Sequence, residues 1–136
     1  MDVRGAFNAV NPKTLRNEMK KLGLLDNVTA WTYNMTQDRR ATPVRGEDKG
    51  DKSLDLSYGV PQGSPFSLLV FAMALASTIR TSKDRYAYAD DLAAVGLAKT
   101  PMEAARIVQE NAEDMVRDLK RKALEVEPAK HKFIIF

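Results

Sequence analysis

Apolar residues recur at helical spacing in two segments near the N-terminus. The first predicted helix begins at Pro12, behind the capping residue Asn11, and ends at Gly23. Its apolar positions, which we expect to face the core, are Leu15, Met19 and Leu22. A second helix is predicted from Asp26. Its apolar face, also expected in the core, comprises Val28, Trp31 and Met35.

The middle of the chain alternates between strand and helix patterns. Residues 39–58 predict a β-hairpin, in which an edge strand at 41–45 is followed by a charged turn at 46–52. The returning strand at 54–58 alternates apolar and polar positions, which indicates that one of its faces is in solvent. Residues 65–79 are apolar nearly all round, which predicts a buried helix.

The last third of the chain predicts a second hairpin at 85–95, a long helix and a terminal strand at 133–136. Thr100 and Glu103 form a capping box that starts the helix, which is predicted to run to about Leu124. Two exposed i,i+4 ion pairs are expected on this helix, Glu113 with Arg117 and Asp118 with Lys122. The element order is that of an α+β fold with an antiparallel sheet.

The composition is that of one globular domain spanning residues 1–136. The chain has 21 basic and 18 acidic residues, and its net charge of +3 is compatible with a phosphate-bearing partner. It has no cysteine, which excludes disulfides and thiolate metal sites. The longest apolar run, 66–76, is too short to span a bilayer, and no signal pattern is present. We therefore expect no membrane partner and an intracellular setting, nuclear or cytoplasmic.

Two neighbouring carboxylates, Asp90 and Asp91, lie at the predicted turn of the second hairpin. Side chains alternate along a strand, and a buried unpaired carboxylate is costly, so both cannot face an apolar core. One interpretation is a site for a hard cation, Mg²⁺ or Mn²⁺, which prefers oxygen ligands. The other is an ordinary surface turn, because aspartate often caps turns.

The loop at 59–65 holds two glycines and two prolines around one amide side chain, Gln62. Glycine and proline each fix the backbone conformation of a loop in a different way. A plain turn does not need so many constrained residues. We therefore consider Gln62 a candidate functional residue.

Three segments in this order, 2–7, 59–65 and 88–91, resemble the palm motifs of reverse transcriptases. A fourth, 124–130, resembles the lysine-bearing motif that follows them. The resemblance covers nearly the whole chain and is closest to the non-LTR (LINE-type) retrotransposon enzymes. It implies a polymerase palm-like antiparallel sheet packed on helices. It also implies an RNA-directed DNA polymerase that adds dNTPs to a primer 3′-hydroxyl, with an RNA template and a DNA primer as partners.

By this resemblance the catalytic residues hold two ions of Mg²⁺ or Mn²⁺. Asp2 and Asp90 would bridge the ions, Asp91 would support them, and the carbonyl of Val3 would be a further ligand. Two ions about 3.5–4 Å apart activate the attacking oxygen and stabilise the leaving one. Lys130 resembles the lysine that protonates the leaving pyrophosphate, although the residues alone leave an ordinary exposed lysine as an alternative.

The same resemblance assigns residues to the incoming nucleotide and the primer. Phe7 matches the aromatic gate beneath the sugar, which excludes a 2′-hydroxyl by steric clash. Without the resemblance, a core side chain is the favoured interpretation of Phe7. Gln62 matches the residue that lies against the nucleotide. The other residues expected at the nucleotide are Ala6 and Gly63, and those expected near the primer end are Tyr88 and Ala89.

The fingers and thumb regions of the family have no counterpart in this sequence, so we expect a palm fragment. The alternative function is a catalytically silent retrotransposon relic that binds nucleic acid or protein. A polymerase that makes RNA is a third hypothesis, against which Phe7 argues because an open sugar site needs a smaller residue. Family members have residues before Asp2 that pair with the acidic hairpin. We therefore also expect an exposed sheet edge and self-association through it.

Overall fold

The computed structural model describes residues 1–45, 48–49, 53–56, 59–61 and 63–135. Within these ranges the helices are α1 (Ala6–Ala9), α2 (Pro12–Lys21), α3 (Asp26–Thr36), α4 (Pro65–Arg80) and α5 (Pro101–Arg121). The strands are β1 (Arg39–Ala41), β2 (Val44–Arg45), β3 (Asp48–Lys49), β4 (Leu54–Leu56), β5 (Arg85–Tyr88) and β6 (Asp91–Ala94). A 3₁₀ turn, Pro128–Lys130, follows α5. The fold is α+β with antiparallel pairing, which confirms the predicted class.

The core lies where α2, α4, α5 and the β5–β6 hairpin meet, and α2 begins as its sequence predicts. Asn11 Oδ1 accepts hydrogen bonds from the backbone N–H groups of Lys13 (2.9 Å) and Thr14 (3.3 Å). The buried apolar residues are Val3, Ala6, Val10, Leu15, Met19, Val60, Val70, Phe71, Ala74, Leu75, Leu92, Met115, Leu119 and Leu124. Helical spacing in α2 therefore identified Leu15 and Met19 correctly, whereas the third predicted position, Leu22, is half-buried and lies outside this core.

Helix α3 begins where predicted, but of its predicted apolar face only Met35 packs against the core. Val28 and Trp31 are 39% and 57% exposed. The buried side chains are instead Thr29, Thr32 and Thr36, which also recur at helical spacing. Threonine is small and carries a methyl group, so it packs in a helix interface despite its hydroxyl. A pattern of strictly apolar residues therefore misplaces this face.

The predicted hairpin at 39–58 is confirmed, with differences in detail. Strand β1 pairs antiparallel with β4, and β2 pairs with β3. Pro43 lies between β1 and β2, so the predicted strand at 41–45 is interrupted. The three residues of β4 are all exposed, whereas the alternation in the sequence predicted that only one face of this strand is in solvent. Residues 46–47, 50–52 and 57–58 of the predicted hairpin lie outside the described residues.

Helix α4 is buried on one side only, which corrects the prediction of a fully buried helix. Val70 and Phe71 are completely covered, whereas Leu68 and Leu69 are 51% and 54% exposed. The covered side contacts α1, α2, α5 and β5, and these elements do not reach round the helix. Among the described residues, no helix combines the length and the apolarity needed to cross a lipid bilayer.

Helix α5 begins at its predicted cap, where Thr100 Oγ1 accepts a hydrogen bond from the N–H of Glu103 (3.3 Å). It ends before the predicted end at Leu124, because Ala123 adopts the left-handed conformation with φ 59°. The two predicted ion pairs are wrong, since their members have other partners. Arg117 pairs with Asp114, Glu113 accepts a hydrogen bond from Gln109, Asp118 pairs with Arg85 and Arg121, and Lys122 pairs with Glu18.

The ion pair between Glu18 and Lys122 is buried and joins α2 to the end of α5. Lys122 Nζ donates to Glu18 Oε2 at 3.1 Å, and to Ala74 O and Ser77 Oγ at 2.9 Å each. Burial by itself raises the pKa of Glu18, but hydrogen bonds from Lys21, Ser77 and Lys122 outweigh it and lower the pKa to about 2. Burial lowers the pKa of Lys122, and Glu18 offsets part of that effect.

The predicted terminal strand at 133–136 is not formed in the part of it that the structure describes. Residues 131–135 have no regular secondary structure, and the apolar side chains at 133–135 are more than half exposed. The sheet contact is made earlier, where Val126 pairs with Val3. The 3₁₀ turn follows directly, and Pro128 has no N–H with which to continue a ladder. Residue 136 lies outside the described residues.

Candidate active site

Residues 1–4 lie extended between strand β6 and the segment 125–127, and backbone hydrogen bonds join them to both. These bonds run from Val3 N–H to Asp90 O (3.1 Å), Leu92 N–H to Met1 O (2.8 Å), Arg4 N–H to Glu125 O (2.8 Å) and Glu127 N–H to Asp2 O (2.9 Å). The outer positions of this small sheet are therefore β5 and 125–127. Residues 1–4 themselves are not the exposed edge that the sequence led us to expect.

This pairing brings the predicted metal ligands to one end of the hairpin. An antiparallel bridge places Asp2 directly opposite Asp91, and opposite residues have Cβ atoms about 4.5–5.5 Å apart. Asp90 lies in the turn between β5 and β6, and its carbonyl accepts the hydrogen bond from Val3. The N–H and carbonyl of an extended residue point to the same side, so the carbonyl of Val3 faces this turn as well.

Lys130 adds a positive charge to the same end of the hairpin. Its ammonium donates a hydrogen bond to Asp2 Oδ2. The side chain of Asp2 is 13% exposed and that of Lys130 is 65% exposed, so the pair lies at the surface. The hydrogen bond to Asp2 raises the pKa of Lys130, and the charges of Asp2 and Asp90 add to this. Lys130 is therefore close enough to both aspartates to interact with them.

The donor atoms at this end fit a hard divalent cation in kind. Carboxylate oxygens from Asp2, Asp90 and Asp91 and the carbonyl oxygen of Val3 are the ligands that Mg²⁺ and Mn²⁺ prefer. Among the described residues, however, no three acidic, histidine or cysteine side chains converge closely enough to hold a metal ion. Asp2 is directed to Lys130 instead, which provides the compensating charge.

Phe7 is hydrogen-bonded to the loop that begins at Gly59. This contact joins two of the predicted motifs, 2–7 and 59–65. The N–H of Val60 donates to Phe7 O at 2.8 Å, and the N–H of Gly59 donates to Val10 O at 2.9 Å. A Cβ on Gly59, whose φ is 88°, would lie 2.7 Å from Asn8 Cα, so only glycine allows this approach. The ring of Phe7 is partly buried and lies 5.3 Å from that of Phe71.

The other predicted site residues fall into different environments. Ala6 is buried at the start of α1, and Gly63 is exposed with φ 89°. Tyr88 is 85% exposed at the end of β5, and Ala89 follows it in the turn with φ 52°. Gln62 lies outside the described residues. The structure thus does not test the roles expected for these residues.

Two arginines that sequence reasoning did not select support the site. Arg85 begins β5 and is buried, and its guanidinium donates to Thr78 O (3.0 Å) and lies 3.6–3.7 Å from Asp118 and Asp114. It therefore joins the hairpin to α4 and α5. A charged residue at the first position of an otherwise apolar strand was the signal for it in the sequence.

Arg4 is the second of these arginines. Its side chain lies on the side of residues 1–4 that faces the segment 125–127. Its Nε donates to Glu127 Oε2 at 2.9 Å, and this bond lowers the pKa of Glu127. The pair holds the segment that leads to Lys130 against the segment that carries Asp2. Glu125 and Glu127 alternate on that extended segment, which was the available sequence signal.

Comparisons with known proteins identify the family. No curated protein and no solved structure matches the chain. The family model described as reverse transcriptase (RNA-dependent DNA polymerase) matches residues 1–135, which is nearly the full length. On this match, and with the Asp2 segment paired to the Asp90–Asp91 hairpin, the chain belongs to the reverse transcriptase family.

Proposed function

We propose that this chain is the palm of an RNA-directed DNA polymerase, of the type found in non-LTR retrotransposons. The observation that carries the proposal is the pairing of the Asp2 segment with β6, which puts Asp2 opposite Asp91 and beside Asp90. Asp2 lies 88 residues before Asp90 in the sequence, so the fold, and not the local sequence, brings it to the Asp90–Asp91 hairpin. An RNA template, a DNA primer and dNTPs are the partners that this function needs.

Asp2, Asp90, Asp91 and the carbonyl of Val3 are the residues that would hold the two divalent ions. The ions would supply charge stabilisation at the attacking and leaving oxygens. Two arginines of the chain would position these ligands. Arg85 holds the hairpin on α4 and α5, and Arg4 holds the 125–127 segment beside residues 1–4. An ion held by Asp2 would compete with Lys130 for this carboxylate. Lys130 would then be released toward the leaving pyrophosphate.

Phe7 supports the choice of deoxyribonucleotides. Its carbonyl accepts a hydrogen bond from the N–H of Val60 and its ring packs on Phe71 of α4, so Phe7 has a fixed position beside residues 59–61. A fixed bulky ring discriminates against a 2′-hydroxyl better than a mobile one, because it cannot move away. Residues 88–89 would lie near the primer end by the same assignment.

Self-association through a sheet edge is part of this proposal. Within the described residues, β5 pairs on one side only, with β6. Two of its side chains, Tyr86 and Tyr88, are exposed. An unpaired edge strand is a template for another strand, so we propose β5 as the contact between two copies.

The experiment that tests the catalytic proposal combines metal binding with primer extension. Mn²⁺ is added to isotope-labelled chain, and paramagnetic broadening of the amide signals is followed in the wild type and in Asp90→Asn. Broadening centred on residues 2–3 and 90–91 that is lost in the variant supports the proposal. If extension of a DNA primer on an RNA template is equal in both proteins, the proposal is wrong. Metal binding without extension in either protein favours the relic hypothesis.

A further inference from the structure

The outward face of α2 carries only positive charge. Lys13, Arg16 and Lys20 are exposed and lie at i, i+3 and i+7, which places them on one side of the helix. The one acidic residue of this helix, Glu18, is buried and paired with Lys122 and Lys21. The helix is thus basic outside, and its negative charge is neutralised inside.

Charge on the other long polar helix, α5, is arranged differently. Its exposed arginines each have a carboxylate partner on the same helix: Arg106 with Glu110, Arg117 with Asp114, and Arg121 with Asp118. No carboxylate of the described residues lies within ion-pair distance of Lys13, Arg16 or Lys20. The basic face of α2 therefore lacks the compensation that the same chain provides on α5.

One cation of this face is held in place by an aromatic ring. The guanidinium of Arg16 lies 5.2 Å from the centroid of the Tyr33 ring, on the neighbouring helix α3. This contact reduces the freedom of Arg16 and directs it along the surface. A cation that is already ordered loses less entropy when it binds a ligand.

We propose that the basic face of α2, defined as Lys13, Arg16 and Lys20, binds the phosphate backbone of a nucleic-acid duplex. With a rise of 1.5 Å per residue, the three side chains span about 10 Å, which is the length of about three 3.4 Å intervals between successive phosphates of one strand. The choice of nucleic acid over an acidic protein rests on the proposed function, because a polymerase must hold its template and primer. Helix α2 packs on α3 and α4, whereas the aspartates lie on residues 1–4 and the β5–β6 hairpin, so the proposed role of this face is affinity and not chemistry.

The test measures binding of a fluorescently labelled 20-base-pair RNA–DNA hybrid as a function of salt, with EDTA present and no nucleotide. The variant is Lys13→Gln/Arg16→Gln/Lys20→Gln. The control is Arg106→Gln/Arg117→Gln/Lys120→Gln, which removes an equal number of positive charges, three, from α5. We expect the α2 variant to bind roughly tenfold or more weakly at low salt, and the slope of log K against log salt to fall by roughly 2–3. The control is expected to lose much less.

Equal weakening in both variants would overturn the inference, because it would reflect net charge alone. Displacement of the hybrid by polyglutamate at equal charge concentration would overturn it in favour of an acidic protein. If the triple variant does not fold, Lys13→Gln/Lys20→Gln keeps the contact between Arg16 and Tyr33, and its slope is expected to fall by about 2. Hybrid binding that depends on α2, in a protein without primer extension, would support this inference and contradict only the proposed function.

Discussion

The ammonium of Lys130 contacts the carboxylate of Asp2, although 128 residues separate them in the chain. The contact forms because residues 1–4 lie between β6 and the segment 125–127, which ends just before the 3₁₀ turn that carries Lys130. The charge of Asp90 also acts on Lys130. A protein cation therefore lies where the proposed function requires a metal cation, and the two would compete for the same carboxylate.

Replacing Lys130 with alanine is expected to strengthen binding of Mn²⁺. The substitution removes the competing ammonium from Asp2, and for an exposed ion pair we expect a gain of roughly twofold to fivefold. Titration calorimetry or the relaxation rate of water protons measures the affinity. Lys132→Ala is the matched control, since it removes an equal charge two residues away. Unchanged or weaker binding in Lys130→Ala would show that this lysine does not compete with the metal.

Local signals predicted the starts of α2 to α5 and the acidic hairpin correctly, whereas the short helix α1 was not predicted. The caps at Asn11 and Thr100 act within three residues of the helix start, so the sequence contains the whole interaction. The Asp90–Asp91 turn is similar, because its two strands are adjacent in the chain. Such elements need no knowledge of the rest of the fold.

Interactions between distant segments were not predictable in the same way. Lys122 was expected on an exposed helix face, yet it is buried beside Glu18, which lies 104 residues earlier. The helix ends one residue before Lys122, and the left-handed Ala123 then turns the chain. The exposed side of α4 depends likewise on which elements pack against it, which periodicity does not reveal.

Breaking the buried pair is expected to destabilise the fold. Lys122→Met leaves the carboxylate of Glu18 buried with less compensation, and such changes cost about 3–5 kcal/mol in the free energy of unfolding. Urea unfolding followed by circular dichroism measures this. Lys120→Met, on the exposed side of the same helix, is the control and should change stability by about 0.5 kcal/mol or less. Equal stability of the two variants would mean that the pair does not form.

Stability is expected to decrease in acid because of Glu18. Its pKa in the folded protein is about 2, below the ordinary value of 4.5, so the folded state favours the charged form. The resulting stabilisation is present above pH 4.5 and is lost as the pH falls toward 2. The melting temperature of Glu18→Gln should therefore depend less on pH in this window than that of the wild type. Glu113→Gln, an exposed glutamate of α5, is the control, and a wild-type pH dependence in Glu18→Gln would contradict the assignment.

Gly59→Ala is expected to disrupt the contact between the 59–61 loop and α1. Gly59 and Gly63 have nearly the same φ, 88° and 89°, so alanine at either position incurs about 1–2 kcal/mol of backbone strain. At Gly59 the new Cβ would lie 2.7 Å from Asn8 Cα, whereas at Gly63 it would meet none of the described residues within 4 Å. The difference between the two variants in the free energy of unfolding therefore isolates the close approach, and we expect about 1–3 kcal/mol. Chemical denaturation of both proteins measures it. Equal destabilisation would mean that the loop does not lie against α1, and the position of Phe7 beside the loop would lose its support.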